Sequence, residues 1–302
     1  MNFDYEQAYR LMYLIRCTEE GIIERYQELE KMRCPTHLSI GQESAAVGTM
    51  MALDSDDHIY STHRSHAHYL AKGGDLDARI AELHGKATGC TGGWGGSMHL
   101  VDESAGMMGA IPVVGDYVSM AIGSAIAFKL DGTDRVAVAF FGDSAVETGQ
   151  FWEAANYAAL HRLPIMFVCE NNSYATATHI SQRQPPSPIF ERVKGFMWSM
   201  RVNDEDIVAV WEAAKRCRSE NPGFLEIGTY RYREHVGPNF DWDLGYRTKE
   251  EVLEHMDKDP LSEVRRKLSQ ETAEEIEEES KGRVTAAFDA ADIAPWPEAI
   301  FG

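Results

Sequence analysis

The sequence predicts an α/β fold: a mostly parallel sheet covered by helices on both faces, with helical N- and C-terminal extensions. Three observations carry this. Short apolar runs at 135–141, 164–169 and 223–229 alternate with stretches of helical spacing, and strands separated by helices pair in parallel through crossovers. The 302 residues are 44% apolar and 25% charged, enough for a large core. Two of the apolar runs stop on oxygen-bearing side chains, at Gly142-Asp143-Ser144 and at Glu170-Asn171-Asn172, and the carboxyl ends of parallel strands are where such sheets bind ligands.

The elements follow in order. Tyr5, Ala8, Leu11, Met12, Ile15, Ile22 and Tyr26 recur near 3.6-residue spacing, so 4–32 reads as one amphipathic helix. Residues 42–52 and 66–84 also read as helical. Between 85 and 119 the chain is glycine-dense and aperiodic, yet carries Trp, Met and Val; this predicts a folded loop region that shapes a ligand site. "MAIGSAIAFKL", 120–130, reads as a buried small-residue helix. Strand 135–141, a helix near 150–161 and strand 164–169 come next. Pro185, Pro186 and Pro188 open a loop over 185–195, a helix is expected near 204–219 and a strand near 223–229. Residues 248–285 are helical and acidic, continuing into a C-terminal extension that closes at 302. The whole of 1–302 reads as one domain.

Composition narrows the function. A formal net charge of -19 repels nucleic acid phosphates and anionic membranes. Cys17, Cys34, Cys90, Cys169 and Cys217 are odd in number and widely spaced, with no Cys-x-x-Cys, which argues against a disulfide framework or a zinc knuckle. The N-terminus has the charges and spacing of a helix rather than a signal or transit peptide, and no apolar run approaches membrane-spanning length. These point to the cytoplasm.

At the two strand ends, a carboxylate (Asp143) and an amide oxygen (Asn172) are hard ligands that suit Mg²⁺ or Ca²⁺. Gly142 permits a sharp turn, and the helix that follows aims free N–H groups at the same place, where a phosphate is favoured. The residues equally allow a plainer reading, an Asp capping a helix and an Asn in a turn. His63, His66 and His68 lie close in sequence, but their spacing does not put all three on one helix face and nothing completes a zinc set.

A Gly-Asp opening with an Asn-Asn close resembles the thiamine diphosphate fingerprint. "STHRSHAHYLAKGGD", "GGWGGSMHL", "VVGDYVSMAIGSAIAFK", "NYAALHRLPIMFVCENNSY" and "TYRYREH" occur in the order seen in the α subunit of 2-oxo acid dehydrogenase first components, of the pyruvate, branched-chain and acetoin types. The resemblance spans about residues 5–300. It implies a thiamine diphosphate-binding fold, decarboxylation of a 2-oxo acid, and transfer of the acyl unit to an acceptor such as lipoyl. An acyloin-forming or split transketolase-like carboligase is the other enzyme reading, because "ETGQFWEAA" is similar to split transketolase halves. By position, the resemblance assigns Mg²⁺ to Asp143, Asn172 and the Tyr174 carbonyl. It assigns the diphosphate to the main-chain N–H groups of Ser144 and Ala145 beside Gly142, and to Arg64 and Arg231. Pro112 and Val114 match the segment against the aminopyrimidine, and His37, His63 and His235 line the channel to the reacting carbon. The catalytic glutamate is implied to come from a separate β subunit, giving an assembly of two α and two β chains, with a lipoyl acyltransferase as a further partner. After 223–229 too little chain is expected for a second sheet.

Several positions depart from the family. Ser144 replaces a glycine, and Glu147-Thr148 replaces an Asn-Gln or Asn-Glu pair. Glu234 stands where glycine is usual and Val236 where some members carry a regulatory serine. Glu234 is expected to favour the charged form of its neighbour His235.

Overall fold

The computed structural model describes residues 2–28 and 31–298. Parts of the two expected extensions, residues 29–30 and 299–302, lie outside the described residues. Helix α1 (Tyr5–Glu28) leads into α2 (Glu43–Met50), strand β1 (His58–Ser61), α3 (His66–Ala71), α4 (Leu76–Leu83) and strand β2 (Met107–Ala110). Then come α5 (Asp116–Asp131), β3 (Ala137–Gly142), α6 (Gly149–His161) and β4 (Ile165–Asn171), with a small hairpin of β5 (Tyr174–Ala175) and β6 (Thr178–His179). The remainder is α7 (Ile189–Val193), β7 (Trp198–Asn203), α8 (Ile207–Ser219), β8 (Gly223–Gly228), α9 (Lys249–Met256), α10 (Pro260–Arg265) and α11 (Gln270–Ile293).

Six strands form one sheet in the order β2-β1-β3-β4-β8-β7, with every neighbouring pair parallel. Alternate residues of a strand face opposite sides, and here both sides are apolar. Val138, Phe140, Met166 and Val168 point into a core shared with α1, α2, α8 and α11. Ala137, Ala139, Phe141, Ile165 and Phe167 point into a second core, shared with α5 and α6. This two-sided burial explains why β3, β4 and β8 read as continuous apolar runs.

The departures from the expected elements have physical causes. The helix expected over 66–84 is two helices. Gly73 has φ +97°, a Cβ on Gly74 would lie 2.5 Å from the Tyr69 ring, and Asp75 caps α4 by accepting the Ala78 N–H at 3.0 Å. β1, β2 and β7 were not anticipated: two are four residues long, and β7 is a half-exposed edge strand. α5 is not a buried helix. Ala121 and Ala125 let its inner face sit close on β1 and β3, while Met120 (53% exposed) and Leu130 (81%) face outward.

A polar knot joins α1 to α3, α4 and the segment before α2. The Glu19 carboxylate, fully buried, accepts from Arg79 Nη2 at 2.6 Å and from the Ser39 N–H at 2.7 Å, and lies 2.6 Å from His66 Nδ1. His66 Nε2 is in turn 2.8 Å from Ser97 Oγ. His68 bridges Ser61 Oγ (2.7 Å) and Glu170 Oε1 (3.0 Å). His66 and His68 are therefore committed to structure.

Candidate active site

The sheet order reverses at β1. The chain leaves β1 toward β2 on one side and returns to β3 on the other, so the loops after β1 and β3 diverge and leave a crevice at their carboxyl ends. A cavity of about 320 Å³ opens there. The loop after β1 brings Thr62, His63 and Arg64, and the loop after β2 brings Pro112 and Val114. β3 ends in Gly142, Asp143 and Ser144. β4 ends in Glu170, and Asn172, Tyr174, Ala175 and Thr176 follow it. His37 and Gln42 enter from the segment before α2, and His235 from the loop after β8.

At one end sit the expected metal ligands. Asp143 is almost wholly buried, which raises its pKa; an ion pair with Arg183 offsets this only in part. The same guanidinium pairs with Glu147. A buried carboxylate that already holds a cation is a site with a demand for positive charge. The Asn172 amide faces Gln42 Oε1 at 3.5 Å and accepts the Tyr174 N–H at 3.2 Å. Ser173 (φ +67°) in the β4–β5 turn and Thr176 (φ +54°) in the β5–β6 turn take left-handed backbone that non-glycine residues seldom adopt, so both turns are held in a specific shape. Gly142 differs from expectation. Its φ of -79° suits any residue, so the turn does not need glycine, but a Cβ there would meet nothing within 4 Å. The missing side chain leaves space at the cavity wall.

Arg64 is buried and donates to two main-chain carbonyls, Leu38 O at 2.5 Å and His235 O at 3.2 Å. Burial and the nearby Arg231 lower its pKa to about 9, and it has no carboxylate partner among the described residues. It is a charged guanidinium still open to an anion. Arg231 behaves otherwise. Its guanidinium is taken by Asp241 at 2.9 Å and by the Thr176 carbonyl at 3.0 Å, and it does not line the cavity. It braces the loop rather than facing a phosphate. Ala145 is buried behind Ser144 and contributes no side chain to the wall.

Residues 9–300 match the family model described as dehydrogenase E1 component. The chain belongs to that family. It is 39% identical to the α subunit of acetoin:2,6-dichlorophenolindophenol oxidoreductase from Bacillus subtilis, over 87% of this chain and 81% of that one. It is 33% identical to the pyruvate dehydrogenase E1 component α subunit of Rickettsia bellii, covering 97% of this chain and 93% of that one. The corresponding Rhizobium meliloti subunit is 36% identical over 95% and 84%. The dehydrogenase E1 family implies thiamine diphosphate as cofactor.

In this E1 chain the far end of the cavity is a triangle of imidazoles. The rings of His37, His63 and His235 lie 4.6, 5.1 and 5.2 Å apart, centre to centre, and one nitrogen from each falls within 4.8 Å of the other two. Nδ1 of His37 is buried without a hydrogen-bond partner. Burial first, then the Arg64 charge, lowers His37 to about 2, His63 to about 3 and His235 to about 4. All three are neutral at pH 7. Glu234 does not counter this: its carboxylate turns away from His235 and accepts the Asn239 N–H at 2.9 Å. The expected upward push on His235 is therefore overturned by the turn that Glu234 builds.

The lowered values give a sign for acid stability. Below an ordinary imidazole pKa of about 6.5 the unfolded chain takes up protons that the folded triangle refuses, so stability falls as pH drops from about 6.5 toward 4. Urea unfolding across that window is expected to show stability rising with pH. His63→Asn should flatten the slope by up to one proton, about 1.4 kcal/mol per pH unit. An unchanged slope would mean that His63 is protonated in the folded state.

Gln42, Thr62, Glu170 and Arg183 were not singled out from sequence as site residues. Glu170 was visible as a strand end. The other three carry no local signal, because they reach the crevice from loops.

Proposed function

We propose that this chain is the α subunit of a heteromeric thiamine diphosphate enzyme that decarboxylates a short, pyruvate-like 2-oxo acid or, for an acetoin-like substrate, cleaves the carbon–carbon bond of the acyloin. It then hands the acyl unit to an acceptor such as lipoyl. The observation that carries the reading is one crevice at the sheet's switch point. It holds a divalent-cation donor set, three neutral imidazoles and, next to the imidazoles, an arginine with no carboxylate partner among the described residues. Asp143, the Asn172 amide and the Tyr174 carbonyl would hold Mg²⁺, whose shell two phosphate oxygens help complete. Arg64 and the main-chain N–H groups of Ser144 and Ala145 would take the diphosphate. Pro112 and Val114 would flank the aminopyrimidine. Bound there, the cofactor supplies the carbon nucleophile and the electron sink. His235, His63 and His37 accept and return protons at the substrate and acceptor oxygens, and the buried walls exclude water.

The relatives are named as α subunits, and the exposed apolar side chains Met120, Leu130, Tyr157 and Leu160 on α5 and α6 would suit cover by a partner chain. The terminal helices belong to the same domain: α1 and α11 pack on each other, and α11 packs on α4. Cytoplasmic placement rests on the widely spaced free thiols. Among the described residues no helix is long and apolar enough to cross a membrane.

With the partner subunit present, the enzyme is expected to release CO₂ from a short 2-oxo acid, dependent on thiamine diphosphate and Mg²⁺. His235→Ala should slow turnover by roughly 10²–10⁴-fold, the range for a lost general acid–base group, with cofactor affinity nearly unchanged. Steady-state rates set beside a cofactor titration separate the two effects. Unchanged turnover would remove His235 from proton handling.

A further inference from the structure

Arg183 is placed by no motif, yet it sits at the centre of the metal end. Its guanidinium bridges Asp143 and Glu147, and its Nε donates to the Thr178 carbonyl at 3.0 Å. Gln184 reinforces the bridge, donating to the Asp143 carbonyl at 2.8 Å and to Glu147 Oε1 at 2.7 Å. The two carboxylates are unequal. The Asp143 side chain is 2% exposed and that of Glu147 34%, so one half of the bridge is dry and the other wet. Arg183 and the buried Gln184 lead into a loop whose next residues, Pro185, Pro186 and Ser187, are exposed.

We propose that Arg183 is a latch on the metal position: it holds Asp143 in the cofactor-free chain, and a divalent cation claims Asp143 only as Arg183 moves onto Glu147 alone. The inference rests on the metal reading of Asp143 given above. A guanidinium and a divalent cation on one nearly buried carboxylate repel each other strongly, because the interior screens poorly. With neither present, a buried Asp143 would stand unpaired, which is costly. Arg183 thus substitutes for the metal charge until the metal arrives. Glu147, where the resemblance places an asparagine, gives the displaced guanidinium a second seat beside solvent. Such a latch lowers apparent affinity by the fraction of open molecules. A chain that is about nine-tenths latched binds about tenfold more weakly than an open one.

The test uses the full chain with its partner subunit and Mn²⁺ as probe in the presence of thiamine diphosphate, with free Mn²⁺ counted by electron paramagnetic resonance. Arg183→Gln is expected to bind Mn²⁺ about tenfold more tightly than the parent. Without ligand it should melt at a lower temperature, and it should gain more on ligand addition. Arg183→Lys, which keeps the charge but loses the planar fork, should fall between, and carries the test by the same criterion if the glutamine variant does not fold. If the parent binds and neither variant binds more tightly, the latch is overturned while the metal reading stands. If parent and variants all fail to bind, the metal reading falls and the latch falls with it.

Discussion

Asp143→Ala is expected to lose Mg²⁺-dependent binding of thiamine diphosphate, by more than about 100-fold. Residues that only hydrogen-bond a metal's ligands are already worth about 10–100-fold in affinity, and Asp143 would be the one charged ligand in the proposed set. Its carboxylate is buried, so no nearby water-exposed acid replaces it. Glu147 is engaged by Arg183 and Gln184, and Glu170 by His68. The fold should tolerate the change. The variant removes a buried charge, and Arg183 keeps Glu147 as partner, so the melting temperature should move little. Isothermal titration with the cofactor at fixed Mg²⁺ checks the binding, and a thermal melt checks the fold. An affinity within a few-fold of the parent would take the metal away from Asp143.

The second large effect concerns the chain by itself. Purified without a partner, it is expected to show no decarboxylation of pyruvate or related 2-oxo acids, and to become active when co-expressed with a β subunit. The cavity wall contains two carboxylates, Asp143 and Glu170. The first is tied to Arg183 and the second to His68 at 3.0 Å. Neither is free to hydrogen-bond an aminopyrimidine lying toward Pro112 and Val114, and ring activation in this cofactor needs such a carboxylate. The side of the crevice beyond Val113 and Val114, both exposed, is where a second chain would supply it. CO₂ release measured on the single chain, set against the co-purified pair, decides the matter. Turnover by the lone chain at a rate close to that of the pair would end the half-site account.

Much of this was readable before the structure, for reasons that differ by residue. β3, β4 and β8 announce themselves because both of their faces are buried. Asp143 and Asn172 stand out because a polar side chain ends each run. β1 and β2 carry four residues each, too few for a periodic signal. β7, "WSMRVN", is an edge strand whose exposed positions read as loop. The histidine triangle was assembled by resemblance alone: His37, His63 and His235 are distant in sequence, and no pattern of spacing joins them. The ion pair of Arg231 was not legible, because its partner, Asp241, lies ten residues on in an irregular loop. The Glu234 carboxylate was expected to act on His235, yet the nearest available donor was the backbone of its own turn.

The knot around Glu19 gives the amino-terminal helix a role that its sequence does not advertise. His66 follows His63 and Arg64 by only a few residues, and its ring is clamped from behind by an acid on α1 that also grips the main chain at Ser39, two residues beyond His37. One carboxylate therefore sets the distance between the two loops that carry His37 and His63. Lengthening, shortening or fusing onto α1 acts on the opposing jaws of the crevice as a screw acts on a vice.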